Sequence, residues 1–220
     1  MPPLDPRPSA VLFDCDGVLA DSEALAAAVV SEDMTERGWP ITPAESRRIF
    51  LGRAVPDMVA LIEARWGRLP DDWPAALSRR LTARMAAEVI AVEGAPEALA
   101  AVASVFPVAC ASNSSRAELT AKLGRLGLGQ HFAGRVFSFE DVDRPKPHPD
   151  IYEAAARSCG AAPKDCVVIE DSLPGIRAGI AAGCRVLAFA GDLEPALLAA
   201  QGAQPFRQMA ELPALLGIHA

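Results

Sequence analysis

The stretch VLFDCDGVLADS, residues 11–22, decides how the rest of the chain is interpreted. The apolar run at 10–13 predicts a buried strand, and two carboxylates, Asp14 and Asp16, follow it directly. Alternate residues of an extended segment point the same way, so we expect the two carboxylates to lie close together. Like charges that close repel each other unless a cation lies between them. The stretch therefore predicts a cation site at the end of a strand.

The composition excludes several classes of protein. The 220 residues include 28 acidic and 21 basic side chains, and the formal net charge of −7 argues against a general nucleic-acid binder. No apolar run approaches a membrane span of about 18 residues. Residues 1–9 are proline-rich, lack the layout of a signal peptide and predict a flexible tail. Five scattered cysteines without a C-x-x-C pair are typical of reduced thiols. We expect a cytoplasmic protein.

Five β-type segments alternate with helical segments rich in alanine and leucine. The β-type segments are AVLF (10–13), FPVACA (106–111), RVFSF (135–139), CVVIE (166–170) and RVLAFA (185–190). Apolar strands that alternate with helices indicate a mostly parallel sheet covered on both faces. The sequence therefore predicts an α/β fold, a Rossmann-like doubly wound parallel sheet, formed by residues 10–19 and 91–220.

Residues 20–90 interrupt this alternation because they contain no convincing strand. Four amphipathic helical segments fill the interval. An all-helical insertion directly after the first strand predicts a cap over the groups that the strand presents. An ordinary helical subdomain without a gating role is the alternative.

Polar side chains follow four of the predicted strands, at the edge where open α/β sheets bind ligands. Each group alone has a simple explanation: DCDG is a common turn, SNSS a common helix cap, and a single lysine is commonly a solvated charge. Their convergence on one edge favours a single site. The side chains are Asp14 and Asp16 after the first strand, Ser112, Asn113, Ser114 and Ser115 after the second, Lys146 after the third, and Glu170 and Asp171 after the fourth.

The chemistry of these side chains indicates phosphoryl transfer. Four carboxylates with no histidine nearby favour a hard cation, and Mg²⁺ is the natural candidate. A serine hydroxyl, the free N–H groups of a helix start and a lysine are phosphate-binding elements. A site that combines a metal ion with phosphate binders and a free carboxylate suits the transfer of a phosphoryl group.

Four segments resemble the sequence motifs of the haloacid dehalogenase superfamily, in the same order. They are FDCDGVLADS (13–22), ASNSS (111–115), RPKPHPDIY (144–152) and VVIEDSLPGIRAGIAAG (167–183). The insertion at 20–90 occupies the position of the small α-helical cap of that family. The sequence is most similar to the branch of β-phosphoglucomutases and sugar-phosphate phosphatases, which includes 6-phosphogluconate phosphatases.

The resemblance implies roles for the acidic residues. Asp14 is the expected nucleophile, which forms an aspartyl-phosphate. Asp16 is the expected general acid and base. The expected ligands of Mg²⁺ are the Asp14 carboxylate, the backbone carbonyl of Asp16 and Asp171, with Glu170 close by.

The resemblance also implies residues that hold the substrate. Ser112 and Lys146 are expected to bind the phosphoryl oxygens, and Gly17 and Asn113 to contact the substrate. The loop FLGRAVPD (50–57) is the expected substrate loop of the cap, with Gly52 and Arg53 facing the site. A solvated surface position is the alternative for Arg53, and the arginines of the last cap helix (Arg79, Arg80 and Arg84) are weaker candidates.

Differences within the family separate the possible reactions. Asp16 argues against the dehalogenase branch, which lacks this second aspartate. Residues 20–90 contain no lysine, which argues against the phosphonate-cleaving branch. Ala26 stands where β-phosphoglucomutases carry a cap histidine. We therefore expect a monomeric, Mg²⁺-dependent phosphatase of a small phosphorylated metabolite, a sugar phosphate or sugar-acid phosphate, with a phosphosugar mutase as the alternative.

Overall fold

The structure is a computed structural model that describes residues 4–50, 53–191 and 193–218. Six strands form one parallel sheet in the order β5-β4-β1-β6-β7-β8, and two short strands pair separately. The strands are β1 Ala10–Phe13, β2 Ala20–Asp21, β3 Ile90–Ala91, β4 Val108–Ala111, β5 Val136–Phe137, β6 Cys166–Glu170, β7 Arg185–Phe189 and β8 Gln204–Phe206.

Ten α-helices surround the sheets in the described ranges. None of them combines the length and the hydropathy of a membrane span. The helices are α1 Glu23–Glu36, α2 Pro43–Phe50, α3 Val55–Trp66, α4 Trp73–Glu88, α5 Ala95–Ala103, α6 Arg116–Leu126, α7 Asp150–Ser158, α8 Leu173–Ala181, α9 Pro195–Ala200 and α10 Leu212–Leu215.

Alternating side chains of the six-stranded sheet enter two separate hydrophobic cores. Val11 and Phe13 of β1 join a core that includes α5, α6 and the helices of the inserted segment. Ala10 and Leu12 join a second core that includes α7, α8 and α9. Both faces of the sheet are therefore covered by helices, which explains why its strands are continuous apolar runs. The predicted doubly wound α/β fold is confirmed.

The order of the strands reverses at β1. The chain runs from β1 to β4 and β5 on one side, and then returns to β6, β7 and β8 on the other. Ligands of open α/β sheets bind outside the carboxyl ends of the strands at such a switch point. The residues after β1, β4 and β6 therefore meet at one place.

Two helices start beside this switch point with side-chain caps. Ser115 caps α6 by accepting a hydrogen bond from the backbone N–H of Glu118, and Ser172 caps α8 by accepting one from Gly175. A serine cap contributes about 1 kcal/mol to helix stability. Gly127, in the left-handed conformation at φ 68°, ends α6. These caps fix where the loops after β4 and β6 turn into helices.

One strand of the large sheet is not among the strands predicted from the sequence. The strand β8 lies next to β7 at the edge of the six-stranded sheet and contains Pro205. Proline lacks the N–H that a central strand needs, so within sheets it is confined to edge strands such as this one. A short segment that contains proline is therefore not predicted as a strand from its sequence.

The inserted segment contains α1 to α4, and its two ends pair with each other. Asp21 of β2 lies opposite Ile90 of β3 in an antiparallel pair. Asp33 of α1 binds α4 through the Trp73 indole N–H, which donates at 2.7 Å, and through Arg80 at 3.3 Å. Of the weaker cap candidates, Arg80 and Arg84 form ion pairs with glutamates of α1 and α4.

The predicted tail contacts the core within its described part. The backbone N–H of Leu4 donates to the Leu215 carbonyl at 2.9 Å, and that of Ser9 donates to Asp165 at 2.7 Å. Arg7 lies over the ring of Phe106, 4.8 Å from its centre. Residues 4–9 therefore lie against the core rather than free of it.

Candidate active site

A cavity lies between the carboxyl ends of β1, β4 and β6 and the inserted helices. Its core side is lined by Asp14, Asp16, Lys146 and Asp171. With Asn113 from the loop after β4, which also lines the cavity, the structure brings together side chains from four separate segments of the chain. Helices α1 to α4 supply the opposite wall, which is largely apolar.

Asp14 and Lys146 form a buried ion pair. The Lys146 Nζ lies 2.6 Å from Oδ1 of Asp14 and 2.8 Å from both the Ala111 carbonyl and Oε1 of Glu170. These three acceptors use all three N–H groups of the ammonium. Without a metal ion, burial raises the pKa of Asp14 to about 8 against the effect of Lys146, so a cation beside Asp14 would favour the carboxylate. Burial alone would lower the pKa of Lys146, but the Asp14 and Glu170 carboxylates raise it, so this lysine is charged.

Glu170 accepts five hydrogen bonds from the protein. Its Oε1 accepts from Lys146 at 2.8 Å and from the Tyr152 hydroxyl at 3.0 Å. Its Oε2 accepts from the Asp171 N–H at 2.9 Å, from the Ser172 N–H at 2.8 Å and from the Ser172 hydroxyl at 3.0 Å. Both oxygens are thus occupied, and Glu170 anchors Lys146. Its role as a metal ligand stays a prediction.

The residues present fit a hard divalent cation. Oxygen atoms of Asp14, Glu170 and Asp171 lie within 4.8 Å of one another, and oxygen-only donors are the ligands that Mg²⁺ prefers. Burial, Glu170 and Asp14 raise the pKa of Asp171, as expected for crowded carboxylates. Gly17 makes this proximity possible, because a Cβ at this position would lie 2.0 Å from an Asp171 oxygen. Gly17 also has a φ of 74°, which favours glycine.

Asp16 is held by a different set of groups from Asp14. Oδ1 accepts from the Ser22 hydroxyl and the Lys122 ammonium, and Oδ2 accepts from the Ser112 and Ser114 hydroxyls, both at 2.9 Å. Burial would raise the pKa of Asp16, but Lys122 and these hydroxyls lower it to about 2. Asp16 is therefore a carboxylate in this arrangement, the form that can accept a proton from water.

Sequence reasoning missed Lys122. It lies in the middle of α6 and is completely buried, 106 residues from Asp16 in the chain. One signal was present: Glu118 precedes Lys122 by four residues, the spacing of helical ion pairs, on the face that also carries Leu119 and Leu123. The two aspartates of DCDG thus have separate lysine partners.

The side chains after β4 have different surroundings from one another. Asn113 exchanges two hydrogen bonds with the backbone of Lys146, at 3.0 and 3.1 Å, and so fixes the lysine loop. Ser112 is completely buried, and its hydroxyl donates to Asp16. Asn113, Ser114 and Ser115 line the cavity. The predicted substrate contacts of Ser112 and Asn113 stay predictions.

The inserted helices place two expected positions on the cavity. Arg53 lines it, although its Nε donates to the Ile49 carbonyl at 3.2 Å. Gly52 lies outside the described residues. Ala26, where the mutases carry a histidine, also lines the cavity. Sequence reasoning missed a further pair on this wall, Arg47 of α2 and Glu23 of α1, which contact each other.

The glycines at 175, 179 and 183 recur every four residues in and after α8, and they have three different roles. A Cβ on Gly175 would lie 1.5 Å from Oε1 of Glu170, so this glycine admits the buried carboxylate. A Cβ on Gly179 would lie 2.9 Å from Val186, so this glycine allows α8 to pack closely on the sheet. Gly183 has a φ of 85° and open space around it, after the end of α8.

The chain is similar to known proteins over most of its length. Residues 8–183 match the family model of the haloacid dehalogenase-like hydrolases. The chain is 28% identical to 6-phosphogluconate phosphatase of Escherichia coli (strain K12) over 95% of both proteins. It is 32% identical to hexitol phosphatase A of the same organism over 80% of this chain and 81% of the relative.

A solved structure is similar at the level of the whole fold. It is a haloacid dehalogenase family hydrolase from Deinococcus radiodurans R1 with bound phosphate and sodium, 37% identical, with a TM-score of 0.75. The similarity covers 97% of this chain and 96% of that one. The matched family model, these relatives and the convergence of the four motif segments on one cavity lead to one conclusion: the chain belongs to the haloacid dehalogenase-like hydrolase family.

Proposed function

We propose that the protein is a Mg²⁺-dependent phosphatase that hydrolyses a small phosphorylated metabolite, a sugar phosphate or sugar-acid phosphate, through an aspartyl-phosphate intermediate. It acts as a cytoplasmic monomer, with residues 20–90 as the cap of the site. The observation that carries the proposal is the buried pair of Asp14 and Lys146 at 2.6 Å, beside a cluster of carboxylates at the switch point of the sheet.

In the first step, the Asp14 carboxylate attacks the phosphorus atom. The bond between phosphorus and the leaving oxygen breaks, and the electron pair stays on that oxygen. Asp16, which is a carboxylate in the free protein, takes up a proton when the substrate binds and gives that proton to the leaving oxygen, so that an alcohol departs. The charge of Lys146 stabilises the negative charge on the phosphoryl oxygens, and Ser112 contributes once its hydroxyl turns from Asp16 to a phosphoryl oxygen.

In the second step, water replaces Asp14 on phosphorus. Asp16, now a carboxylate, takes a proton from the water as the oxygen attacks. The bond between Asp14 and phosphorus breaks, and the products are inorganic phosphate and the free Asp14 carboxylate. Asp14, Asp171 and the Asp16 carbonyl, with Glu170 close by, would hold Mg²⁺, which would supply positive charge to offset the anions of the site.

Two relatives support the substrate class, since one is called a 6-phosphogluconate phosphatase and the other a hexitol phosphatase. On the cavity wall of the cap, Arg53 and Arg47 are the candidates for binding the polar groups of such a substrate. Gly52 completes the predicted substrate loop.

The test is hydrolysis of p-nitrophenyl phosphate with and without EDTA, by the wild type and by Asp14→Asn. We expect both the chelator and the substitution to abolish turnover, and excess Mg²⁺ to restore only the chelated wild type. A panel of phosphorylated metabolites then identifies the substrate. Undiminished turnover by Asp14→Asn would contradict the mechanism.

The mutase alternative makes a different prediction. A mutase has to keep water from the aspartyl-phosphate until a sugar hydroxyl arrives, and Ala26 on the cavity wall offers no acid or base for that purpose. Conversion of β-glucose 1-phosphate to glucose 6-phosphate, stimulated by a bisphosphate, would favour the mutase over the phosphatase.

A further inference from the structure

Lys122 is a completely buried lysine whose charge adjoins the active site. Its ammonium contacts Asp16 Oδ1, lies 2.7 Å from Oε1 of Glu118 and lies 2.6 Å from the Ser114 hydroxyl. An ammonium has three N–H groups, and these three acceptors use all of them. A buried charge is stable only when it is paired and hydrogen-bonded in this way.

The hydrogen bonds around Asp16 form one closed set. The Ser114 hydroxyl accepts from Lys122, and its single hydrogen faces Asp16 Oδ2 at 2.9 Å, closer than its other acceptor, Glu118 Oε1, at 3.3 Å. Ser22 and Ser112 supply two further donors. Four protein donors thus fill the four lone-pair positions of the Asp16 carboxylate. The orientation of Asp16 is determined by these partners, and Lys122 is the one that is charged.

A purely structural lysine does not need Asp16. Glu118, four residues earlier in α6 and itself buried, is enough to neutralise one ammonium. The second carboxylate comes instead from the loop after β1. Ser22, the other partner of Oδ1, precedes the first cap helix and belongs to the segment where the chain enters the cap, whereas Lys122 belongs to the core. Lys122 therefore gives Asp16 an anchor in the core.

We infer that Lys122, supported by Glu118, is the positioning residue of the general acid and base Asp16. The inference rests on the proposed phosphatase function. Proton transfer requires a donor held close to its productive geometry, and a displacement of about 1 Å reduces a rate by about a hundredfold. Without Lys122, the Asp16 carboxylate loses its charged anchor and adopts other orientations.

The test compares two substrates of similar shape that differ in leaving group. Benzyl phosphate releases a weakly acidic alcohol and depends on Asp16 for a proton, whereas p-nitrophenyl phosphate releases an acidic phenol and depends on it less. For Lys122→Met, we expect the ratio of kcat/KM for benzyl phosphate to that for p-nitrophenyl phosphate to fall about tenfold or more. In an Asp16→Asn background, the same substitution should leave the ratio unchanged, because the acid is already missing.

Two further variants control for folding and for charge. Lys122→Met leaves Glu118 buried without its cation, so the double variant Glu118→Gln/Lys122→Met, which removes both charges, replaces it if circular dichroism shows unfolding. Arg116→Met removes another ion-paired cation of α6, one that contacts Asp141 rather than Asp16, and should leave the ratio at the wild-type value.

Each outcome decides the question. A parallel fall with both substrates, or an equal fall of the ratio in the Asp16→Asn background, would overturn the inference and make Lys122 a structural residue only. A wild-type protein that hydrolyses neither substrate with Mg²⁺ present would overturn the proposed function, and the inference with it.

Discussion

Replacing Glu170 with glutamine tests the anchor beneath the active site. The side chain keeps its shape but loses its charge, and one acceptor oxygen becomes an NH₂ donor. With its oxygen toward Lys146 and Tyr152, the amide NH₂ faces the donors of Asp171 and Ser172. Turned the other way, the NH₂ faces the ammonium. Either orientation leaves at least two buried donors without an acceptor.

The expected cost follows from these contacts. A buried donor that loses its partner costs about 1–3 kcal/mol, so two of them cost about 2–6 kcal/mol. Removing one partner of a buried ion pair costs about 3–5 kcal/mol, which agrees with that range. Since native proteins are stable by about 5–15 kcal/mol, Glu170→Gln should lose a large fraction of the stability.

Urea unfolding followed by circular dichroism, in EDTA at pH 7, measures this loss. Glu153→Gln is the matched control, since Glu153 pairs with Arg157 at 3.8 Å on the surface, and we expect a change within about 1 kcal/mol. A loss below about 1 kcal/mol for Glu170→Gln in EDTA would refute the anchoring role. A loss that arises only with Mg²⁺ present would instead make Glu170 a metal ligand.

Three further predictions concern a glycine, a carboxylate and a thiol. Gly17→Ala should weaken Mg²⁺ binding in calorimetry, because its Cβ would displace Asp171, whereas Gly127→Ala, with a similar φ of 68° but open space, should leave the affinity unchanged; equal effects would refute this. Metal-free protein should lose stability against urea as the pH rises from about 4 toward 8. Burial raises the pKa of Asp14 to about 8 in the folded state, so over this range the folded protein keeps a proton that the unfolded chain has lost. Asp14→Asn should make the free energy of unfolding depend less on pH, and an unchanged pH dependence would contradict the assignment. Burial raises the pKa of Cys184 to about 12, so its thiol should resist alkylation at pH 8 until the protein unfolds, as peptide mass spectrometry would show.

The fold was predictable because its central strands are apolar runs that can be recognised in the sequence. The apolar runs of β1 and β6 coincide with the predicted segments, and the polar residues after them follow from the geometry of a parallel sheet. The strand β8 was not predictable, because its pairing with β7 outweighs the preference of Pro205 against strands. The preference of a residue for or against a strand decides the local structure only where pairing and packing do not oppose it.

The sequence predicts which candidate residues lie together, but it does not predict their hydrogen bonds. Asp14, Lys146 and Asp171 meet as expected, since their positions after strands are a local property. The pairing of Asp16 with Lys122 joins residues from distant parts of the chain, and the spacing of Glu118 and Lys122 on one helix face does not show which further residue the lysine reaches. The five donors around Glu170 are likewise a product of the folded backbone.

The pairing of β2 with β3 has an evolutionary consequence. The chain leaves the core at Asp21 and returns at Ile90, and these two residues are direct partners in an antiparallel pair. Partners in such a pair lie only about 5 Å apart, so the two ends of the helical segment are as close together as the ends of a tight hairpin. The segment can lengthen, shorten or be exchanged without moving either end, so natural selection can change one wall of the cavity while Asp14, Lys146 and Asp171 stay in place.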